Sequence, residues 1–335
     1  MNRRIISLLG LACAVLAPAL YAAEPGMFDK TQTYCFGRYL VDIPLDAELK
    51  GQGNAYYATK IHTGFGIAEF NAKVNAALTK RKNEPGKRGF KYVKSVYPEG
   101  GDKQIVVGKA DLWSTTAYSI DAFVRMSSQK KGAGQFFYLS EEGLPAKDID
   151  AIVANYRNIL AAIRYRAPRD IPAEPGFCIE NGFIANDGKT PQAERAVLSF
   201  ALKSHPDVRF SISSDLYFKQ EKPLLQRMKE SGVDERFPGK NRVITAGDRV
   251  INGMSGQESL DEFPSDDGTG VAQSFVWETL GEVANPLKAS IHFNIFSGEG
   301  VAGVTGVSSM STQQIRALYE GIVKSIRIRP TEGKQ

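Results

Sequence analysis

The sequence predicts an α+β fold made of two tandem, internally duplicated domains, each a mainly antiparallel sheet with two helices packed on it. Three observations point there. Two amphipathic helical stripes, one mid-chain and one near the C-terminus, run into the same step: Ile163-Arg164-Tyr165-Arg166-Ala167-Pro168 and Ile326-Arg327-Ile328-Arg329-Pro330. Two similar cysteine-bearing segments open the corresponding halves, Tyr34-Cys35-Phe36-Gly37-Arg38-Tyr39-Leu40 and Phe177-Cys178-Ile179-Glu180-Asn181-Gly182-Phe183-Ile184. Between start and end, each half holds several extended runs and only one further helix. Many strands with few helices imply sheets covered by helices on one face. The domains are expected at 24–170 and 171–335, joined by the proline-bearing stretch 169–175.

Residues 1–23 read as a secretory signal. Arg3 and Arg4 form a basic start, Ile5 to Leu16 is almost wholly apolar, Pro18 breaks the run, and Ala19, Ala22 and Ala23 offer a small-residue cleavage site. Those are the three parts of an export signal. The apolar run is too short for about 30 Å of hydrocarbon, and no later stretch reaches the ~20 residues of a transmembrane anchor. Gly10-Leu11-Ala12-Cys13 has glycine three before the cysteine, where a lipidation site has a large aliphatic residue. The mature protein is therefore expected outside the cytoplasm.

In the first half an extended run, Ala55 to Thr63, leads to a helix with Ile67, Phe70, Val74, Ala77 and Leu78 on one side. Strands are expected at 104–108, 115–125 and 135–139; in the second of these Tyr118, Ile120, Ala122 and Val124 alternate with polar neighbours, as in a half-buried strand. The apolar positions 149, 152, 153, 156, 159, 160 and 163 then make the first helical stripe. In the second half strands are expected at 196–202, 208–216, 242–245, 274–279 and 290–296, with a short helix at 223–229 whose first turn holds Pro223. Ser311 and Gln314 form a capping box ahead of the last helix, whose stripe is Ile315, Leu318, Tyr319, Ile322, Val323 and Ile326. The second copy is the longer one, and the excess is assigned to a polar insertion around 257–270.

Once Cys13 leaves with the signal, Cys35 and Cys178 remain. An even pair in an oxidising compartment points to a disulfide, the alternative being two small buried hydrophobes.

The chain offers little to a catalyst. Its histidines, His62, His205 and His292, sit in no metal-ligand spacing, so no metal site is expected. Gly253-Met254-Ser255-Gly256 falls short of a nucleophile elbow, and Gly298-x-Gly300-x-x-Gly303 lacks the helix a dinucleotide fingerprint requires. No catalytic residue and no cofactor is assigned. With 42% hydrophobic and 24% charged residues the chain is ordinary globular protein, and a net charge of +5, two units of it in the signal, does not make a nucleic-acid binder. Two charged stretches stand out. Lys80, Arg81, Lys82, Lys87, Arg88, Lys91 and Lys94 form a basic run, and Glu258, Asp261, Glu262, Asp266 and Asp267 form an acidic one. Both suit solvated surface, and the acidic residues are the candidate partner interface because polar insertions on rigid domains carry recognition.

Taken together, Cys35-Phe-Gly-Arg-Tyr-Leu-Val-Asp-Ile-Pro44 after a signal and Gly176-Phe-Cys-Ile-Glu-Asn-Gly-Phe183 opening a second half resemble the immunity proteins of type VI secretion that are cognate to the fourth class of antibacterial phospholipase effector. The resemblance covers the whole mature chain. It implies a periplasmic protein, not an enzyme, that binds a secreted phospholipase stoichiometrically. Its two domains would grip the effector like a claw and hinder lid opening or substrate access. Two other readings remain: an envelope lipid or small-ligand carrier, which needs a large apolar cavity, and a hydrolase using Ser255 or a carboxylate pair.

Overall fold

The computed structural model describes residues 30–83, 89–112, 115–127, 132–145, 148–232, 241–298 and 305–332. The signal segment 1–23 with Cys13, Lys87 and Arg88 of the basic run, and Gly300 and Gly303 lie outside the described residues.

Each half opens with a hairpin: β1 (Thr31–Phe36) and β2 (Tyr39–Pro44) in the first, β10 (Gly176–Ile179) and β11 (Gly182–Ala185) in the second. The first half continues with β3 (Ala47–Tyr56), β4 (Thr59–Phe65), α1 (Ile67–Lys82), β5 (Lys91–Ser95), β6 (Lys103–Leu112), β7 (Thr115–Arg125), β8 (Gln135–Pro145), α2 (Ile149–Ala162) and β9 (Ile163–Tyr165). The second follows with β12 (Arg195–Leu202), β13 (Arg209–Asp215), α3 (Leu224–Ser231), β14 (Arg242–Ile251), β15 (Met254–Pro264), β16 (Val271–Thr279), β17 (Ser290–Phe296), α4 (Thr312–Ser325) and β18 (Arg327–Ile328).

A single antiparallel sheet of twelve strands runs through both halves in the order β14-β15-β16-β17-β13-β12-β3-β4-β8-β7-β6-β5. Its seam is the pairing of β12 with β3, from Arg195 opposite Ala55 to Leu202 opposite Ala47. The expectation of a separate sheet in each half is corrected here: pairing across the seam removes two edges that would otherwise present unpaired N–H and C=O groups. Read outward from the seam, the strand order is the same in the two halves. The end strands are exchanged. β9 leaves the helix of the first half to pair with β11, and β18 leaves that of the second to pair with β2.

On the inner face of the sheet, α2 buries Val153, Tyr156, Ile159 and Leu160, and α4 buries Ile315, Leu318, Tyr319, Ile322 and Val323. Both belong to one core with Ile120, Ala122, Val124, Leu198, Ile212, Phe275, Trp277 and Phe293. Each large apolar side chain buried there contributes about 1.5–3 kcal/mol. The sequence signals hold at the helix ends. Ser311 and Gln314 make the full capping box of α4, and Asp148 accepts the amide of Ala151 at the start of α2.

Helices on one face only, however, is not what forms. α1 and α3 stand on the opposite, outer face. α1 packs Phe70 and Val74 on Phe123 and Phe136. β7 is therefore buried on both sides, and its polar residues Ser119 and Asp121 are interior because Arg81 of α1 is buried there and bonds Asp121. A buried carboxylate paired with a buried guanidinium copies the alternation of a solvent-facing strand. Two further readings change. The run 55–63 is not one strand but a hairpin turned at Tyr57 and Ala58, both in the left-handed region (φ 56° and 60°) without the usual glycine or asparagine. And half of 257–270 is not loop: 254–264 is strand β15, hydrogen-bonded on both sides, and only 265–270 forms a turn.

Candidate functional site

The joint between the halves is built from the motifs that repeat. Cys35 and Cys178 are bonded (S–S 2.02 Å, Cα–Cα 5.9 Å) and tie one hairpin to the other in a small core with Leu40 and Phe183. Beside them Gly37, at φ +55°, donates its amide to Cys178 O at 3.1 Å and accepts that of Cys178 at 2.7 Å. Arg38 forms a bidentate pair with Glu194 at 2.8 and 2.6 Å, both side chains almost fully buried. Burial raises the Glu194 carboxyl, and the Arg38 guanidinium only partly offsets this.

The second arginine of each Ile-Arg-x-Arg step secures an exchanged strand. The amide of Arg166 donates to Asn181 O, and that of Arg329 to Arg38 O. Their guanidinium groups are buried and donate to backbone carbonyls. Arg166 reaches Gly182, Ile179, Ala167, Pro168 and Asp170; Arg329 reaches Pro172, Glu174 and Gly176. Burial pulls both groups down to about 10, which leaves them charged at neutral pH. The linker 169–175 is thereby held to both halves.

Two surfaces remain open beside this joint. On the outer face of the sheet, between α1 and α3, the floor is made of small or polar side chains, among them Val197, Ser199, Ser211, Ser213, His292 and Asn294, all partly exposed. A Cβ added at Gly51 or Gly53 would meet open space. α1 is anchored by Arg81 on Asp121 and Glu142, and α3 by Arg227 on Glu278 at 2.8 and 2.7 Å. The second surface is a cleft of about 640 Å³ between the start of α3, the β14–β15 turn and the segment 279–289, closed on one side by Tyr39 of the first half. Its lining mixes Leu224, Val250, Met254 and Leu287 with Asp248, Arg249 and Glu278.

The residues singled out in the sequence fall in three places. Glu258, Asp261 and Glu262 lie on β15 and are turned to internal partners. Glu258 bonds Arg249 at 2.5 Å and Tyr319 at 3.0 Å, Asp261 accepts from Ser259 at 2.7 Å, and Glu262 accepts from Arg242 at 2.7 Å and from Thr312. They brace β14 and α4 against β15, so the exposed acidic loop expected there shrinks to Asp266 and Asp267. Those two are exposed and cap their own turn: Asp267 accepts from Ser265 and Thr269, and Asp266 from Thr305. His62 stacks on Tyr138, His205 bonds Ser309, and His292 bonds Glu278. Ser255 is exposed at the cleft with no histidine in its lining. The basic run is divided, Arg81 being interior while Lys80 and Lys82 are at the surface. Among the described residues no group of three His, Cys, Asp or Glu could hold a metal, and no helix is long and apolar enough to cross a membrane. Sequence reasoning missed Arg38, Arg166 and Arg329 as joint residues. The doubled arginine of the repeated step was the available signal for two of them.

Two halves of like strand order thus share one twelve-stranded sheet and a disulfide-tied joint, with open polar surface beside it. Residues 170–331 match the family model described as the Tle cognate immunity protein 4 C-terminal domain. Solved structures share the fold over nearly the whole chain. The apo immunity protein TplEi of the T6SS from Pseudomonas aeruginosa is similar with a TM-score of 0.74 at 24% identity, covering 90% of this chain and 98% of that one. A chain of the Tle4–Tli4 complex is similar at 0.75 and 23%, covering 90% and 98%. TplEi complexed with the "L" peptide, also from Pseudomonas aeruginosa, gives 0.70 and 23%, covering 90% and 99%. No curated protein matches the chain significantly.

Proposed function

We propose that this chain is a periplasmic T6SS immunity protein that binds and inhibits a cognate secreted phospholipase. The observation that carries the reading is the family match over 170–331, and the fold shared with a chain of the Tle4–Tli4 complex supports it. The two lobes, 24–170 and 171–335, act as a two-domain grip that blocks lid opening or substrate access. A grip whose spacing is set by a disulfide, exchanged strands and buried arginines loses little conformational entropy on binding, which favours tight association. Inhibition is stoichiometric and needs no cofactor. The common strand order of the halves and the corresponding Arg166 and Arg329 anchors support an origin by internal duplication. Export by the segment 1–23 agrees with a disulfide, which persists in an oxidising compartment.

Co-expression in the periplasm with the cognate secreted phospholipase tests this. Survival of the host and co-purification of the two proteins are expected. Continued toxicity with no co-purification would overturn the proposal. The mass of the secreted protein should correspond to cleavage after Ala22 or Ala23.

A further inference from the structure

The outer face carries a charge imbalance that the function so far leaves unused. Lys60 lies on the outer side of β4, opposite Ala55 of β3. Lys73 of α1 holds Nζ 5.4 Å from the centroid of the Tyr138 ring. His62 stacks on that same ring at 4.7 Å and 15°. His62 is pulled below its ordinary value by burial first and then by Lys60 and Lys73. No carboxylate offsets the two lysines at ion-pair distance among the described residues. Of the other acids, Glu142 is engaged by Lys80 and Arg81, Glu48 by Lys50, Asp215 by Arg195 and Glu278 by Arg227, while Glu69, one turn before Lys73 on α1, accepts the amide of Phe65 instead.

Next to this cationic corner the floor stays low. Gly51, Gly53, Ala55, Ser199, Ser211 and Ser213 bring the backbone and short hydroxyls within reach of a docked chain. From β4 to β16 the strand spacing makes that floor about 24 Å wide, and six or seven residues of strand make it about 20 Å long. That is roughly 500 Å², to which the inner flanks of α1 and α3 add, against the ~800 Å² per partner of a standard interface. The chemistry narrows the occupant. A lipid surface calls for an apolar face, and this one is polar. A nucleic acid calls for many phosphate contacts, commonly six to ten, where this corner offers two lysines.

We propose that the outer face between α1 and α3 is the docking surface of the molecule, and that its occupant is an acidic segment of the effector protein seated with its carboxylates over Lys60 and Lys73. The proposal rests on the immunity reading above and replaces the acidic residues of β15 as the interface. Carboxylates of the partner complement the lysines, and the hydroxyls and open backbone of the floor receive its remaining polar groups.

The test is calorimetric titration of the oxidised mature protein with the purified cognate phospholipase. K60E/K73E should weaken binding about a hundredfold. Gly53→Tyr should do the same by filling the floor, and because a Cβ there meets nothing within 4 Å its thermal midpoint should stay that of the wild type. K324E, on the exposed rim of α4, serves as the control and should bind normally. If the wild type binds and both outer-face variants bind equally well, this surface is wrong and the immunity reading stands. If the wild type does not bind at all, the immunity reading itself fails, and this proposal with it. If light scattering shows a dimer that K60E/K73E dissociates, the face serves a second copy of the chain and the proposal is overturned.

Discussion

On the outer face of the first half α1 is a helix of 16 residues that buries Phe70, Val74 and Arg81, whereas in the second half α3 takes the corresponding place with 8 residues and buries only Leu224. On the inner face the halves barely differ. α2 and α4 are both 14 residues long, and each carries a buried tyrosine in the same place relative to its Ile-Arg-x-Arg step. Tyr156 shares a hydrogen bond of 2.8 Å with Thr59, and Tyr319 donates to Glu258 at 3.0 Å; burial raises both hydroxyls. The contrast has a physical cause. The inner face must pack against hairpins whose end strands come from the other half, so a change in one copy strains both. The outer face packs only against its own helix and can diverge. Recognition is expected where divergence is cheap.

The comparison breaks most sharply at the joint. Replacing Cys35 and Cys178 with alanine opens a loop of sequence separation 143, and the chain-entropy model gives a loss of up to about 5 kcal/mol. Urea unfolding measures it. Because β9 and β18 are exchanged, the variant should still unfold in one transition. Two resolved transitions would mean that the lobes are separable and that the inner faces are not mutually dependent.

The outer helices supply the next test, with unequal outcomes on the two sides. Arg81 has a side-chain exposure of 1% and Arg227 one of 38%. Arg81→Ala leaves the nearly buried Asp121 without its cation and should cost about 3–5 kcal/mol. Arg227→Ala removes a partly solvated pair and should cost about 1 kcal/mol or less. Equal losses in denaturant midpoint would contradict the view that α1 is a core element and α3 a lightly held one.

What could be read in the sequence follows the same division. The inner face was legible: the stripes of α2 and α4, the capping box at Ser311 and the two cysteine-bearing starts are local, periodic signals tied to burial. The seam and the strand exchange were not, since nothing in Ile163–Tyr165 or Arg327–Ile328 states which hairpin it joins. β15 was hidden because Glu258 and Asp261 are buried with partners and Glu262 is half-buried against Arg242 and Thr312, which imitates a solvated loop. The turn at Tyr57 and Ala58 was hidden because neither residue is a usual turn former. The docking face was masked for a related reason. Lys60 and Lys73 are isolated in the sequence and converge only when α1 folds back onto β4 and β8.

The smallest expected effect concerns pH and falls on the second half. Glu278 is held at about 2, from an ordinary value of 4.5; burial by itself would raise it, and the hydrogen bonds from His292 and Arg227 outweigh that. A carboxyl with a depressed folded value stabilises the native state fully above its unfolded value, and the contribution disappears as pH falls through the folded one. Stability from this group is therefore complete above about pH 4.5 and drains away toward pH 2. In the first half Glu142 is also lowered, against the raising effect of burial, by its bonds to Lys80 and Arg81. Glu278→Gln removes the second contribution and leaves the first. The difference in urea midpoint between wild type and this variant should narrow as pH is taken from 7 to 2.5. A difference that stays constant over that range would show that Glu278 does not change its charge there, and that α3 is held by packing rather than by its ion pair.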